Sequence, residues 1–291
     1  MSGGTPFWGE GELPTDVEID AWITKRIEQI PILRERYNAV VFTQTIRSGS
    51  MADVDGRSPF GKFVRTHGMN ALGVADEVLA TWREIYQAGI RPISAYASIL
   101  RTVLEATTMT RWLFDPEQNA SERIRRGVLA HLEDLDERAK FEKAVPPRFI
   151  DIQPPSLPGV VGLRQLLAEA AAQGVDVVDG RGKRKPILSH VERCAAYAEA
   201  PGYGGEAAYR FVSSLAHGMH WSLAGVRHEP VLEVAAPFDA IVSHVTANPD
   251  AIALVTSWGL DTFEAAVSDA EGYIGLPQSS TGPGRRSPDR E

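Results

Sequence analysis

The segment YRFVSSLAHGMHW, residues 209 to 221, carries Tyr209, Arg210, Ser213, His217 and His220 on what reads as a single helix over 205–223. At about 100° per residue these side chains and Glu206 share one face, while Ala208, Phe211, Val212, Leu215 and Met219 share the other. A solvated helix face is ordinarily written in Lys, Glu, Arg and Gln. Tyr, Ser and two His are residues for a cleft. Imidazoles take and give protons near neutral pH, and a guanidinium stabilises charge that develops on a phosphoryl group. The same side chains also tie packed helices together by hydrogen bonds, so a reactive face and a structural polar network both stay open.

A second helix, read over 92–114, is apolar nearly all round apart from a narrow stripe of Arg101, Glu105, Thr108 and Trp112. Arg101 and Glu105 are therefore expected to be mostly buried, bonded to each other or to groups on the 205–223 helix. An isolated buried ion is costly, and the Arg-before-Glu order is the weaker one against the helix dipole. The next helix, 119–142, carries Arg123, Arg125 and Arg126. Together with RGKRK at 181 to 185 it offers basic groups for a polyanion backbone.

The rest of the chain narrows the chemistry. Its net charge of −8 argues against broad, sequence-blind binding to nucleic acid. The single cysteine, Cys194, fits a reducing cytoplasm. Neither a secretory leader nor a plain membrane span is read. A Walker loop, a dinucleotide-binding Gly pattern, a nucleophile elbow and a Cys-x-x-Cys pair are all missing, so no cofactor is expected. His217 and His220 lack a third nearby carboxylate, so no metal site is expected there. The acidic run HLEDLDER spreads its carboxylates around the helix and reads as a solvated face.

Helical periodicity is the dominant signal, at 14–37, 72–88, 92–114, 119–142, 161–173, 186–199, 205–223 and 249–272. Residues 38–70 show no helical period and read as an ordered excursion or lid. The proline-rich stretch 145–160 separates two helical halves, and 175–186 is the one expected hairpin. The compositions of 1–13 and 276–291 predict disordered tails around a single helical domain over 14–275. The fold class is all-α, a helical bundle with irregular insertions.

ILRTVLEATTMTRWLFDPEQNASERIRRG, followed some 80 residues later by YRFVSSLAHGMHW, resembles a group of uncharacterised helical proteins of actinobacteria across about residues 90 to 225. That group is distantly similar to the HEPN superfamily of helical bundles, which are often homodimeric. Its active members are metal-independent ribonucleases, and others are inactive scaffolds or antitoxin-type partners. The resemblance implies a HEPN-like core over about 72–275 and a defence or toxin–antitoxin type of role. The family motif of an Arg, four to six residues and a His is matched by Arg210 and His217, with Phe211 where nuclease members carry a polar residue. Two functions follow as expectations. In the first, RNA is cleaved with His217 as general base or acid and Arg210 as phosphate stabiliser. Ser213 and Tyr209 orient the substrate, and Arg101, Glu105, Trp112, Arg123, Arg126 and His220 bind around them. In the second, a non-catalytic helical protein holds a protein partner or a small ligand.

Overall fold

The computed structural model describes residues 14–43, 45–91, 95–145, 158–217, 226–234 and 240–277. Ten helices dominate them. They are α1 (Asp16–Ile27), α2 (Ile30–Val41), α3 (Met51–Asp55), α4 (Gly61–Gln87), α5 (Ala95–Leu113), α6 (Ala120–Ala144), α7 (Gly159–Ala172), α8 (His190–Tyr197), α9 (Gly205–Ala216) and α10 (Pro249–Ile274). The tails expected to be disordered lie almost wholly outside the described residues. So does most of the proline-rich connection.

Local chemistry sets the helix starts. Thr15 and Ser189 close capping boxes with Glu18 and Glu192, and Asn119 and Asn248 accept from the first turns of α6 and α10. Apolar periodicity then decides the packing. α5 lies at the centre, against α4, α8, α9 and α10. Its buried Tyr96, Leu100, Val103, Leu104 and Leu113 join one core cluster that runs from Ile19 on α1 to Ile274 on α10. A smaller cluster of Val128, Leu129, Leu132, Leu135, Leu166 and Ala170 seats α7 on α6.

Three expectations need correction. The periodic run at 14–37 is two helices, broken at Glu28 and Gln29 just before Pro31. The 38–70 excursion is not a lid. It contains α3 and the opening turns of α4, and buried Asp55 on α3 accepts two bonds from Arg123 of α6, at 2.9 and 2.8 Å. Third, the 175–186 segment does fold back on itself, through the Val178–Arg184 bridge and bonds from the Asp179 and Lys185 N–H groups to the Lys183 and Val177 carbonyls, but it is not the one hairpin. The longer ribbon lies elsewhere: β1 (Val226–Val234) pairs antiparallel with β2 (Ala240–Ala247), Val226 opposite Ala247, with an irregularity between Pro230 and Leu232. Proline has no N–H for the ladder, which suits such a break.

The join between α8 and α9 depends on Gly205. A Cβ there would overlap the Cys194 carbonyl oxygen, so the two helices approach as closely as they do only without a side chain. Gly205→Ala should cost about 3 kcal/mol in a denaturant melt. Unchanged stability would mean that the helices separate freely.

Candidate functional site

The candidate site forms where α8 and α9 meet the N-terminal half of α5. On α9, Tyr209 faces α5 and is 7% exposed. Its hydroxyl donates to Glu105 Oε1 at 2.9 Å, and Arg101 Nε donates to the same oxygen at 2.8 Å. A further Arg101 nitrogen reaches the Tyr209 oxygen at 3.4 Å, with the guanidinium 5.7 Å from the Tyr209 ring centroid. The remaining terminal nitrogen of Arg101 lies 2.8 Å from His217 Nε2. A guanidinium only donates, so His217 Nε2 is the acceptor in this contact.

Two residues the sequence did not single out complete the cluster. His190, in the first turn of α8, lies nearly parallel to the Tyr209 ring at 6.3 Å, with Nδ1 3.9 Å from Glu105 Oε2. Arg193, buried one turn later, donates to the same Nδ1 at 2.9 Å, a contact that the neutral form of His190 accepts. The capping box at Ser189 fixes the start of α8 and thereby the position of both. The sequence does hold a signal for them, a His and an Arg three apart directly after a helix cap.

Burial shifts the titration of Tyr209 and His190 within the cluster. Burial, and then the bond to Glu105, hold the Tyr209 phenol above its ordinary range, so it remains a donor. Burial is also the main cause that lowers His190 from the ordinary 6.5, and it lowers His67 and His131 likewise. For these three rings the unfolded chain takes up protons first as pH falls. The stability they contribute is therefore present above about pH 6.5 and is lost as pH falls through the lower folded values. Urea melts at about pH 7.5 and 5.5 should show lower stability at the acid end, with a smaller drop in His190→Gln. Equal stability at both pH values would contradict this.

Arg101, Glu105, Tyr209 and His217 are thus brought together. Arg101 and Glu105 are mostly buried, with side chains 26% and 22% exposed, so water still reaches the pair. The expected burial and bonding of the pair are therefore found. Glu105→Ala should cost about 1–2 kcal/mol in urea melts, since water reaches the arginine left behind. A loss above about 3 kcal/mol would show that water does not reach the arginine.

Other expected site residues stand apart. Arg210 pairs with Glu206 in solvent at 2.8 Å and takes no part in the cluster. The helix expected over 205–223 is shorter in the fold. α9 ends at Ala216 with His217 as its C-cap, and the two side chains of the motif take different partners, Arg210 turning to Glu206 and His217 to Arg101. Ser213 accepts from the His217 N–H through its main-chain carbonyl, at 3.1 Å. Trp112 shares the azimuth of Arg101 but lies about 16.5 Å further along the helix axis. It is buried in the core, with the Arg126 guanidinium 5.4 Å from its ring.

Arg123 and Arg126 are buried structural cations, and this corrects their expected role in binding. Arg123 is held by Asp55. Arg126 donates to Glu122, Asp115, the Tyr197 hydroxyl and the Trp112 carbonyl. The RGKRK patch is partly neutralised, since Arg184 meets Glu133 and Lys185 meets Asp176. His220 lies outside the described residues. Cys194, beneath the cluster, is buried, and burial raises its thiol to about 11, so it is an inert core residue. No helix among the described residues is long and apolar enough to cross a membrane.

In comparisons with family models, with curated proteins and with solved structures, nothing matches this chain.

Proposed function

We propose that the protein is a HEPN-like ribonuclease whose acid–base site is the Arg101–Glu105–Tyr209–His217 cluster, with Arg101 in the phosphate-stabilising role that the sequence motif gave to Arg210. One observation carries this reading: a single guanidinium, anchored through Nε on Glu105, presents its outer edge to an imidazole at the C-cap of α9. An RNA phosphate approaching that edge competes with His217 for the outer N–H, and the swap frees His217 Nε2. The freed nitrogen takes the proton of the ribose 2′-hydroxyl. The 2′ oxygen then forms a bond to phosphorus, the bond from phosphorus to the 5′ oxygen breaks, and the 5′ oxygen takes a proton from water. Throughout, Arg101 faces the charge that grows on the phosphoryl oxygens. Tyr209 and Glu105 hold its orientation, and Arg193 orients His190 beside them.

The test is incubation of the purified protein with mixed RNA in EDTA, followed on a denaturing gel. Fragments ending in a 2′,3′-cyclic phosphate are the expected result. Intact RNA would reject the reading. The engagement of every Arg101 nitrogen within the protein supports a second reading, a non-catalytic helical protein that holds a protein partner or a small ligand. Intact RNA selects that one.

A further inference from the structure

A second histidine cluster lies on α4 and α6, helices that contribute nothing to the Arg101 site. His67 Nε2 and His131 Nδ1 face each other at 3.1 Å. The Phe63 ring packs against His131 with centroids 4.1 Å apart and planes 20° from parallel, which fixes the orientation of that imidazole. A cavity of about 480 Å³ opens over the pair, with Thr66, Asn70, Met109 and Asp134 in its walls.

Two imidazole nitrogens at this distance hold one proton between them, one ring donating and the other accepting. Exchange of that proton for a cation requires both rings to turn, since with centroids 5.3 Å apart the two nitrogens point at each other. With metal–nitrogen bonds of about 2.0–2.1 Å, nitrogens 3.1 Å apart subtend about 98° at a shared ion, within the range of tetrahedral and octahedral sites. Asp134 lies one turn beyond His131 on the same face of α6, and its negative charge acts on both rings. Lys62 opposes a cation here: exposed, it lines the same cavity, its charge acts on His131, and its ammonium lies 5.2 Å from the Phe63 centroid. Among the described residues no three His, Cys, Asp or Glu side chains already stand as a ligand set. The protein therefore supplies two nitrogens, and the cavity leaves room for water and for Asp134 to turn inward.

We propose that His67 and His131 form the nitrogen half of a binding site for a divalent transition-metal cation of the zinc, nickel and copper class, completed by Asp134 and water in the cavity between α4 and α6. Imidazole is a preferred ligand of these ions, whereas magnesium and calcium require oxygen. The pair joins two long helices, so the bound ion also clamps α4 to α6.

The experiment is calorimetric titration of the purified full chain with ZnCl2, with CoCl2 absorption as a spectroscopic check, on wild type, His67→Gln, His131→Gln and Asp134→Asn after matching their circular dichroism melts. One equivalent of Zn²⁺ should bind wild type, and MgCl2 should give no heat. Either histidine variant should weaken Zn²⁺ binding by at least about 10-fold and abolish the visible cobalt bands, and Asp134→Asn should weaken it by about 10-fold. The proposal is overturned if wild type takes up no Zn²⁺ at millimolar concentration. It is equally overturned if both histidine variants bind as wild type does, which would place the ion on other histidines. If a glutamine variant misfolds, mass spectrometry of wild type treated with diethyl pyrocarbonate decides instead: Zn²⁺ should protect the two rings, and equal modification with and without Zn²⁺ overturns the proposal.

Discussion

His217→Ala and Arg101→Met should each lower RNA cleavage by about 10²- to 10⁴-fold, while Arg210→Ala leaves the rate nearly unchanged. The contrast separates the structural arrangement from the sequence motif, which pairs Arg210 with His217. In the folded chain Arg210 is engaged with Glu206 in solvent, and Arg101 is the guanidinium at hydrogen-bond distance from the His217 ring. Arg101→Lys is the informative intermediate. It keeps the charge but loses the fork that binds Glu105 and the phosphate together, so it should recover only part of the rate. Single-turnover cleavage with a labelled RNA, after matching melting temperatures, measures all four variants. If Arg210→Ala is the damaged one and Arg101→Met is not, the motif reading stands and the cluster has a structural role only.

The largest stability effect should come from Asp55→Ala, a loss of about 3–5 kcal/mol in urea melts. Asp55 is fully buried and Arg123 is 4% exposed. Two charge-assisted bonds join them, and Arg123 also donates to the Gln118 carbonyl. Removing the carboxylate leaves a guanidinium with neither water nor a counter-charge, which costs far more than the pair itself contributes. Replacing both partners, as Asp55→Leu with Arg123→Met, should therefore recover most of the loss. The pair also fastens α3 to α6, so the single variant should expose the 45–60 segment to early proteolysis. A loss below about 1 kcal/mol would show that water reaches Arg123 in the native state.

Much of this molecule is local in origin, and the sequence alone determined that part. The helical class, the near-correct extents of α6, α7 and α10, and the central position of α5 follow from apolar periodicity and from the caps at Asn119 and Asn248. These interactions span only a few residues and do not depend on what packs beyond them. The pairing of Arg101 with Glu105, and their meeting with Tyr209 and His217, was also legible. Four polar residues on two apolar helices have few places to go except toward one another.

Tertiary structure decided what no local rule could. α3 and the start of α4 were hidden in a stretch of Gly, Ser and Asp because their stability comes from the buried Asp55–Arg123 bonds, 68 residues apart in the chain. Helix periodicity carried α9 past Ala216, where the folded chain ends it, and packing against α5 gave His217 the Arg101 guanidinium as partner while Arg210 kept Glu206. His190 and Arg193 joined the site, and Arg123, Arg126 and Trp112 left it, for one physical reason. A charge or ring on a helix face has its azimuth set by its own neighbours in sequence, but its partner and its exposure are set by whichever helix packs against that face.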